Sequence, residues 1–372
     1  MPKNIVVFSD GTGQDGGGEH NSNVYKLFNL ILDRSSRQVS FYDKGIGTGW
    51  RKATGNIGGR GFGKNVRECY RFIFDNYQVD DRIFLFGFSR GAATIRSLAG
   101  FLHLFGILPK SRGPLIEKAW IIYKIKNKER RKNKADNFIK NNHTMWAKVH
   151  FMGVWDTVAA LGLPNTRLDH VIDRFIPHGF HDFDLSESVT HAYHALAIDD
   201  VRRSFHPVFF YPPATDAQTL RQVWFMGMHT DVGGGYDETE LSDIVLEWMV
   251  QHAVKHGLHI YHNKKRKPGL CTPDPNGLMH DSRDKRWKKI VFPAEPRFWK
   301  EKFGEAVIHE SVKLRKELGV EYKPWILKHN PTVERWTHLE DWKNDPLFVA
   351  PEVASNLEAL EGWCVPKRPD RD

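Results

Sequence analysis

Short apolar runs that end in turn residues recur along the first two thirds of the chain. Residues 5–8, 83–86 and 149–155 are such runs, and two segments with helical spacing of apolar residues, 24–32 and 61–77, lie between them. Apolar runs of this length are typical of strands buried on both faces of a parallel sheet. The pattern predicts an α/β fold, doubly wound or α/β-hydrolase-like, with a mostly parallel sheet and helices on both faces.

Two regions depart from this alternation. Residues 109–147 are basic and mostly helical in pattern, and we interpret them as an insertion that forms either a lid over the substrate site or a peripheral helical unit. The tryptophans that recur at irregular spacing in the last third are Trp325, Trp336, Trp342 and Trp363. We interpret them as anchors that pack extended segments on the core. The chain is thus divided into a core, 1–257, and a C-terminal extension, 258–372.

Composition indicates a globular protein, with 40% hydrophobic and 27% charged residues among 372. No apolar run reaches the roughly 20 residues that span a bilayer, and the N-terminus enters a strand without the apolar segment of a signal peptide. We therefore expect a cytoplasmic protein, with export by a signal-independent route left open. The cysteines, Cys69, Cys271 and Cys364, are too far apart in sequence to indicate a disulfide framework or a metal cluster.

The formal net charge of +9 is concentrated in three segments, 124–134, 264–267 and 285–289. Solvated helix and loop surfaces are the plain interpretation of such runs. An anionic membrane surface is the alternative partner. Nucleic acid is not expected as a partner, because neither zinc-finger spacing nor an RNA-binding aromatic motif accompanies the charge.

Ser89 stands at the centre of a Gly-x-Ser-x-Gly motif, residues 87–91, between an apolar strand pattern and a run of small residues suited to a helix. This is the context of a nucleophile elbow, in which a sharp turn exposes a serine hydroxyl above the edge of the sheet. Ser89 is therefore the candidate nucleophile, and a purely structural glycine turn is the alternative.

Two further candidates follow apolar runs. Asp156 ends the run at 149–155 and His229 follows the strand pattern 223–226, so the order Ser89, Asp156, His229 is that of α/β-hydrolase triads. A helix N-cap is the alternative for Asp156. Asp199 and Asp200 compete for its role, but the neighbouring arginines favour ion pairing there.

The loop after the first strand contains the remaining candidate residues. We predict that the N–H of Arg90, together with one N–H from the Asp10, Gly11 and Thr12 loop, binds an oxyanion. A tight turn closed by the Asp10 side chain is the alternative. Asp10 and Asp231 could share a divalent cation, but two carboxylates are weak evidence, and neither a metal nor a cofactor is expected.

Several of these motifs together resemble a known family. They are residues 8–12, 23–24, 45–48, 87–91, 153–157, 194–200 and 229–236. In this order they are similar to the catalytic domain of type VI secretion phospholipase effectors, over roughly residues 3–257. The resemblance implies an α/β-hydrolase fold, hydrolysis of phospholipid esters and a triad of Ser89, Asp156 and His229.

The sequence therefore predicts a serine ester hydrolase whose substrate is an ester or a lipid. The same triad also serves thioesterases, acyltransferases and peptidases, so the acyl group and its acceptor stay open. A non-catalytic binding module for an anionic membrane or a nucleic acid is the rival from a different class. The sequence makes no prediction of oligomeric state.

Overall fold

Parallel strands form a single sheet in the part of the chain that the structure describes. The computed structural model describes residues 2–14, 16–31, 34–45, 57–158, 185–213, 215–260, 271–285, 288–289, 292, 294–317 and 322–337. Its strands are β1 (Asn4–Ser9), β2 (Gln38–Asp43), β3 (Arg82–Phe88), β4 (Val149–Trp155), β5 (Val189–Ala197), β6 (Thr219–Phe225), β7 (Val307–His309) and β8 (Thr332–Glu334). Their order in the sheet is β2-β1-β3-β4-β5-β6-β7-β8, and every pair is parallel. The predicted α/β-hydrolase-like fold is confirmed.

The central strands are buried on both faces, as their apolar sequences predict. In β1, Val6 and Phe8 belong to one core cluster while Ile5 and Val7 belong to the other, and all four are inaccessible to solvent. Successive side chains of a strand point to opposite faces, so an uninterrupted apolar run supplies both cores at once.

Helices cover the two faces of this sheet. They are α1 (Asn23–Leu30), α2 (Ile57–Asn76), α3 (Arg90–Phe105), α4 (Leu115–Tyr123), α5 (Lys128–Asn142), α6 (His229–Gly233), α7 (Glu240–Lys255) and α8 (Ser311–Glu317). Buried residues of α1 and α7 share the core that contains Phe8, and those of α2 and α3 share the core that contains Ile5. Within the described ranges, no helix combines the length and the apolar character needed to cross a membrane.

The basic insertion forms α4 and α5. Trp120 and Tyr123 of α4 pack on Phe101 of α3, with ring centroids 6.1 and 5.4 Å apart, and Phe138 of α5 packs on Phe105 at 5.7 Å. The two helices therefore lie beside the second half of α3, whose first residue follows Ser89. A lid function for this insertion stays a prediction.

The described part of the C-terminal extension adds two strands to the sheet, β7 and β8, which the sequence analysis did not predict. Trp325 packs on Trp224 of β6 at 5.1 Å and donates its Nε1–H to the carbonyl of Ile198. Trp336 donates its Nε1–H to Glu247 of α7 at 2.8 Å. Trp342, Trp363 and the basic run 264–267 lie outside the described residues.

Three histidines meet at the amino-terminal edge of the sheet. The rings of His191 and His256 stack at 3.8 Å, and His150 lies 5.5 Å from His191. Burial, together with the neighbouring imidazoles, lowers the pKa of His191 to about 4 and that of His256 to about 3. These side chains are therefore neutral in the folded protein at pH values at which unfolded imidazoles already bind protons.

We predict that this cluster makes folding sensitive to acid. A lowered folded-state pKa contributes stability that is complete above the ordinary value of 6.5 and is lost as the pH falls to about 4. Between pH 7 and pH 4.5, the free energy of unfolding should decrease by about 1 kcal/mol less in His191→Gln than in the native chain, measured by urea unfolding. The difference is small because His191 is partly exposed to solvent. His103→Gln, at an exposed position of α3, is the control; an equal acid response in all three proteins would contradict the prediction.

Candidate active site

Ser89 lies on a tight turn between β3 and α3. Its backbone has φ 58° and ψ −120°, a conformation that side chains rarely adopt. The turn is fixed to the next strand, because the Ser89 N–H donates to the carbonyl of Trp155 at 3.0 Å. The strand, the strained serine and the helix are the three parts of a nucleophile elbow.

The glycines of the motif are required by close backbone approaches. A Cβ atom on Gly91 would lie 2.0 Å from the carbonyl oxygen of Ser9, and one on Gly87 would lie 2.7 Å from the carbonyl oxygen of Gly91. Both obstacles are backbone atoms, which cannot rotate away. The first turn of α3 therefore packs directly on the end of β1, which places the loop after β1 beside Ser89.

His229 begins α6, just after β6, and its Nε2 lies 2.8 Å from the Oγ of Ser89. Its ring is packed between Phe88 and Phe205, with centroid distances of 4.6 and 5.1 Å. Asp231 caps the same short helix, because its Oδ2 accepts the N–H of Met228 at 2.8 Å. The short helix and the two aromatic rings therefore fix the imidazole.

Asp156 follows β4 directly and is inaccessible to solvent. Its Oδ2 lies 2.6 Å from the Nδ1 of His229, and its Oδ1 accepts the N–H of Ala197 at 3.1 Å. The structure thus brings Ser89, His229 and Asp156 into one hydrogen-bonded chain at the carboxyl ends of β3, β6 and β4.

The competing aspartates are engaged elsewhere. Asp200 forms an ion pair with Arg202, with Nη2 and Oδ2 2.6 Å apart. Asp199 accepts the N–H of Gly227 and the hydroxyl of Tyr322, each at 2.7 Å. Neither carboxylate approaches a ring nitrogen of His229, although Asp200 accepts the backbone N–H of that residue at 3.3 Å.

The loop after β1 is organised by Asp10. This buried carboxylate accepts hydrogen bonds from the hydroxyls of Ser22 and Tyr42 and from the N–H of Gly11, the last two at 2.6 and 2.7 Å. A Cβ on Gly11 would lie 3.4 Å from the Cβ of Ser89, so the loop borders the serine. The Gly11 N–H is engaged with the Asp10 side chain, as the turn interpretation of this loop predicts. Arg90 is the first residue of α3, where backbone N–H groups have no partner within the helix.

Arg297 belongs to the site and was missed by the sequence analysis. Its Nη1 and Nη2 donate to the two carboxylate oxygens of Asp156, at 2.6 and 2.8 Å, and both side chains are fully buried. Arg297 lies 141 residues after Asp156, in a segment without regular secondary structure and without a recognised motif. The only local signal is its position between Pro296 and Phe298, which does not distinguish a buried arginine from a surface one.

Burial and charge act in opposite directions on the ionisable groups of the site. Burial raises the pKa of Asp156, but the charge and hydrogen bonds of Arg297 and His229 outweigh it and hold that pKa well below its ordinary value. Burial lowers the pKa of His229 despite the hydrogen bond and charge of Asp156. The resting state of the pair is therefore a carboxylate beside a neutral imidazole, which is the form that accepts a proton from a hydroxyl.

Asp10 and Asp231, the two carboxylates considered for a shared cation, are both engaged by other groups of the protein. Asp10 is saturated by the groups of its own loop, and Asp231 binds the N–H of Met228 and the ring of His280, with Oδ1 and Nδ1 2.6 Å apart. Among the residues that the structure describes, no group of three His, Cys, Asp or Glu side chains is arranged to hold a metal ion.

The parallel sheet and the serine turn define an α/β-hydrolase-like protein. The family described as T6SS, Phospholipase effector Tle1-like, catalytic domain matches residues 3–252, and the chain belongs to this family. This confirms the predicted resemblance.

Individual relatives share little sequence identity with this chain. An uncharacterized protein of Saccharomyces cerevisiae is 28% identical over 317 residues, which cover 78% of this chain and 44% of that protein. Among solved structures, an uncharacterized protein from Pseudomonas aeruginosa has 16% identity and a TM-score of 0.44, covering 70% of this chain and 46% of its own. The Tle1 effector bound to the VgrG spike of the type VI secretion system has 20% identity and a TM-score of 0.35, covering 64% and 52%. The chain therefore spans about half the length of these relatives or less.

We predict that the Gly91→Ala variant is strongly destabilised, because its Cβ would overlap the carbonyl oxygens of Ser9 and Asp10. Overpacking against backbone of this kind lowers the free energy of unfolding by at least about 2 kcal/mol. The matched control is Gly18→Ala, where nothing lies within 4 Å of the added atom, and a change within about 0.5 kcal/mol is expected. Urea unfolding measures the stability of both variants. Equal stabilities would show that the fold does not require the close approach of α3 to the end of β1.

Proposed function

We propose that this chain is a serine hydrolase of carboxylic esters, with phospholipids as its substrate class. The observation that carries the proposal is the continuous chain of hydrogen bonds from the Ser89 Oγ through His229 to Asp156, with links of 2.8 and 2.6 Å. Membership of a family of phospholipase effector catalytic domains supports the lipid substrate.

The reaction follows from the positions of the protons. His229 Nε2 accepts the proton of the Ser89 hydroxyl while Oγ attacks the ester carbonyl carbon, and Asp156 stabilises the imidazolium that results. Collapse of the tetrahedral intermediate breaks the ester bond, and His229 returns the proton to the leaving alcohol. A water molecule, deprotonated by the same imidazole, then releases the fatty acid from Ser89.

The negative charge of the tetrahedral intermediate requires hydrogen-bond donors. The N–H of Arg90, at the positive end of α3, is one, and the loop that Asp10 organises supplies the other. Because the Gly11 N–H is held by Asp10 in the resting state, we assign the second donor to Thr12 or to a Gly11 released on substrate binding. Loss of one such donor raises the barrier by about 3 kcal/mol.

A positively charged surface supports a second part of the proposal, docking on an anionic phospholipid bilayer. Residues 110–148 contain twelve Lys and Arg against three Asp and Glu, which equals the +9 of the entire chain. The same region exposes two apolar side chains, Ile121 at 63% and Trp146 at 59%, with Lys148 lying 5.5 Å from the Trp146 ring. Lysine with interfacial aromatic residues matches the chemistry of a bilayer surface better than that of a nucleic acid.

We predict that Ser89→Ala abolishes ester turnover and leaves the fold intact. Hydrolysis of short and long nitrophenyl esters and of a diacyl phospholipid is compared, and kcat is expected to fall by at least about 10³-fold on each substrate that the native chain cleaves. Ser97→Ala, on the same helix, is the control that retains turnover, and circular dichroism monitors folding.

The set of substrates that the native chain and Ser89→Ala cleave distinguishes the rival functions. Undiminished turnover in Ser89→Ala would remove the serine from the chemistry. Cleavage of short esters alone would keep the serine hydrolase and remove the phospholipase, whereas transfer to an added thiol or alcohol would indicate an acyltransferase. No turnover by the native chain would favour the binding module.

The docking surface is tested with four exposed cations of α5. Arg130, Lys132, Lys134 and Lys140 are changed together to Gln. Each basic residue near an anionic membrane contributes about 1 kcal/mol, so binding to vesicles that contain anionic lipid should weaken at least tenfold. Because the surface lies beside α3 and not around Ser89, the variant should need more vesicles for half-maximal turnover while its kcat on a soluble ester is unchanged.

A variant with four exposed cations changed elsewhere is the matched control. Lys64, Lys300, Lys328 and Arg335 provide the same loss of charge outside the insertion. Equal weakening of vesicle binding in both variants would attribute docking to net charge alone. Binding of RNA or DNA by the native chain, without binding to vesicles, would overturn the membrane assignment.

A further inference from the structure

Every N–H group of the Arg297 side chain is used in one buried cluster. In addition to the two bonds to Asp156, Nη1 donates to the carbonyl of Ala197 at 2.6 Å, Nη2 to that of Phe205 at 2.8 Å and Nε to that of Asp200 at 3.1 Å. A guanidinium has five N–H donors, and all five are satisfied. The cation is thus fixed by the backbone around the site as well as by the carboxylate.

Arg297 changes the charge that His229 experiences. A triad acid without a cation presents a full negative charge to the imidazole, which favours the imidazolium. Here both oxygens of Asp156 also face a guanidinium. Burial lowers the pKa of Arg297, but the charge and hydrogen bonds of Asp156, together with the charges of Asp200 and Asp199, outweigh it and keep that pKa above its ordinary value. The net charge of the Asp156 and Arg297 pair is close to zero, and His229 is bonded to this pair.

Other ionisable groups surround His229 and its partners, and most of them are paired or neutral. They are Asp200 and Arg202 after β5, His194 on β5, His206 after the 203–205 turn, Asp199 before it, Asp231 on α6 and Tyr236 after α6. Asp200 and Arg202 neutralise each other in an ion pair, and burial keeps His194 neutral by lowering its pKa to about 3. Asp231 is bound to His280. Asp199, whose pKa burial raises to about 6, accepts hydrogen bonds from the N–H of Gly227 and the hydroxyl of Tyr322.

We propose that Arg297 is a positioning residue that holds Asp156 against His229 and offsets its charge, so that the imidazole stays unprotonated in mildly acidic solution. This inference rests on the proposed function of Ser89, Asp156 and His229. It also extends the active site beyond the family match, which ends at residue 252.

Removal of Arg297 should raise the pH at which the Asp156 and His229 pair binds a proton. Asp156 would be left as a buried carboxylate without its cation, so the Asp156 and His229 pair would bind a proton at higher pH, whichever of the two residues carries it. We expect the acid limb of kcat/KM to move to higher pH by about one unit in Arg297→Gln, from the loss of one charge beside the pair. At pH values well below the native acid limb, activity should therefore fall about tenfold more than activity at pH 8.

Two further variants separate electrostatics from folding. Arg297→Lys retains a positive charge but cannot bind both carboxylate oxygens, so its acid limb should move less than that of Arg297→Gln while kcat still falls. Arg315→Gln is the matched control, because Arg315 is a buried arginine of the same C-terminal region that donates to the carbonyls of Pro275 and Gly277. Its acid limb should stay where it is in the native chain.

Titration of the imidazole tests the inference without turnover. Nuclear magnetic resonance of protein labelled at histidine, with His229→Gln for assignment, follows the protonation of His229 in the native chain and in Arg297→Gln. An upward shift in Arg297→Gln supports the inference even if no ester is cleaved, in which case only the proposed function fails. An unchanged titration, or an equal loss of activity at every pH, would assign Arg297 a structural role alone and overturn the proposal. Should Arg297→Gln fail to fold, Arg297→Lys is compared with the native chain: a smaller upward shift of the His229 titration supports the inference, and an unchanged titration overturns it.

Discussion

The close approach of α3 to the end of β1 is the constraint on which the site depends. It leaves no room for a side chain at Gly91 and keeps Ser89 in a conformation with φ 58°. Such strain persists only where the surroundings determine the backbone, here through the bond from the Ser89 N–H to the carbonyl of Trp155. The same contact sets the loop of Asp10 beside the serine. This one packing contact therefore positions both the candidate nucleophile and the backbone that faces it.

The second requirement is charge compensation in a dry interior. An isolated carboxylate at the position of Asp156, fully buried, would be unstable in its ionised form. The structure meets this requirement with Arg297, whose fixed cation carries five hydrogen bonds at the point where β4, β5 and the 203–205 turn converge. Breaking such a pair from one side leaves a buried charge alone, so acid and arginine have to be present together.

The sequence predicted the parts of the site that local patterns encode. Ser89 and Asp156 directly follow buried apolar strands, and in a parallel sheet such positions meet at one edge. His229 was predicted in the same way, from its position after the strand pattern that forms β6, and in the structure it begins the short helix α6. Arg297 could not be found, because its partners lie 92 to 141 residues away and nothing near it in sequence signals burial. Strands β7 and β8 were missed for a related reason: three residues carry no measurable periodicity.

These long-range contacts extend the physical requirements of the candidate active site into the C-terminal extension. The family match ends at residue 252, within α7, yet α7 itself is held by the last described residues. Trp248 donates to Glu334 at 2.6 Å, and Trp336 donates to Glu247 at 2.8 Å. Strand β7 pairs with β6, whose end leads to His229, while the segment before β7 supplies Arg297. The candidate base thus depends on the C-terminal extension through its strand, and the candidate acid depends on it through a charge. A chain cut after α7 would retain Ser89, Asp156 and His229 but lose the cation that allows Asp156 to be ionised in the interior.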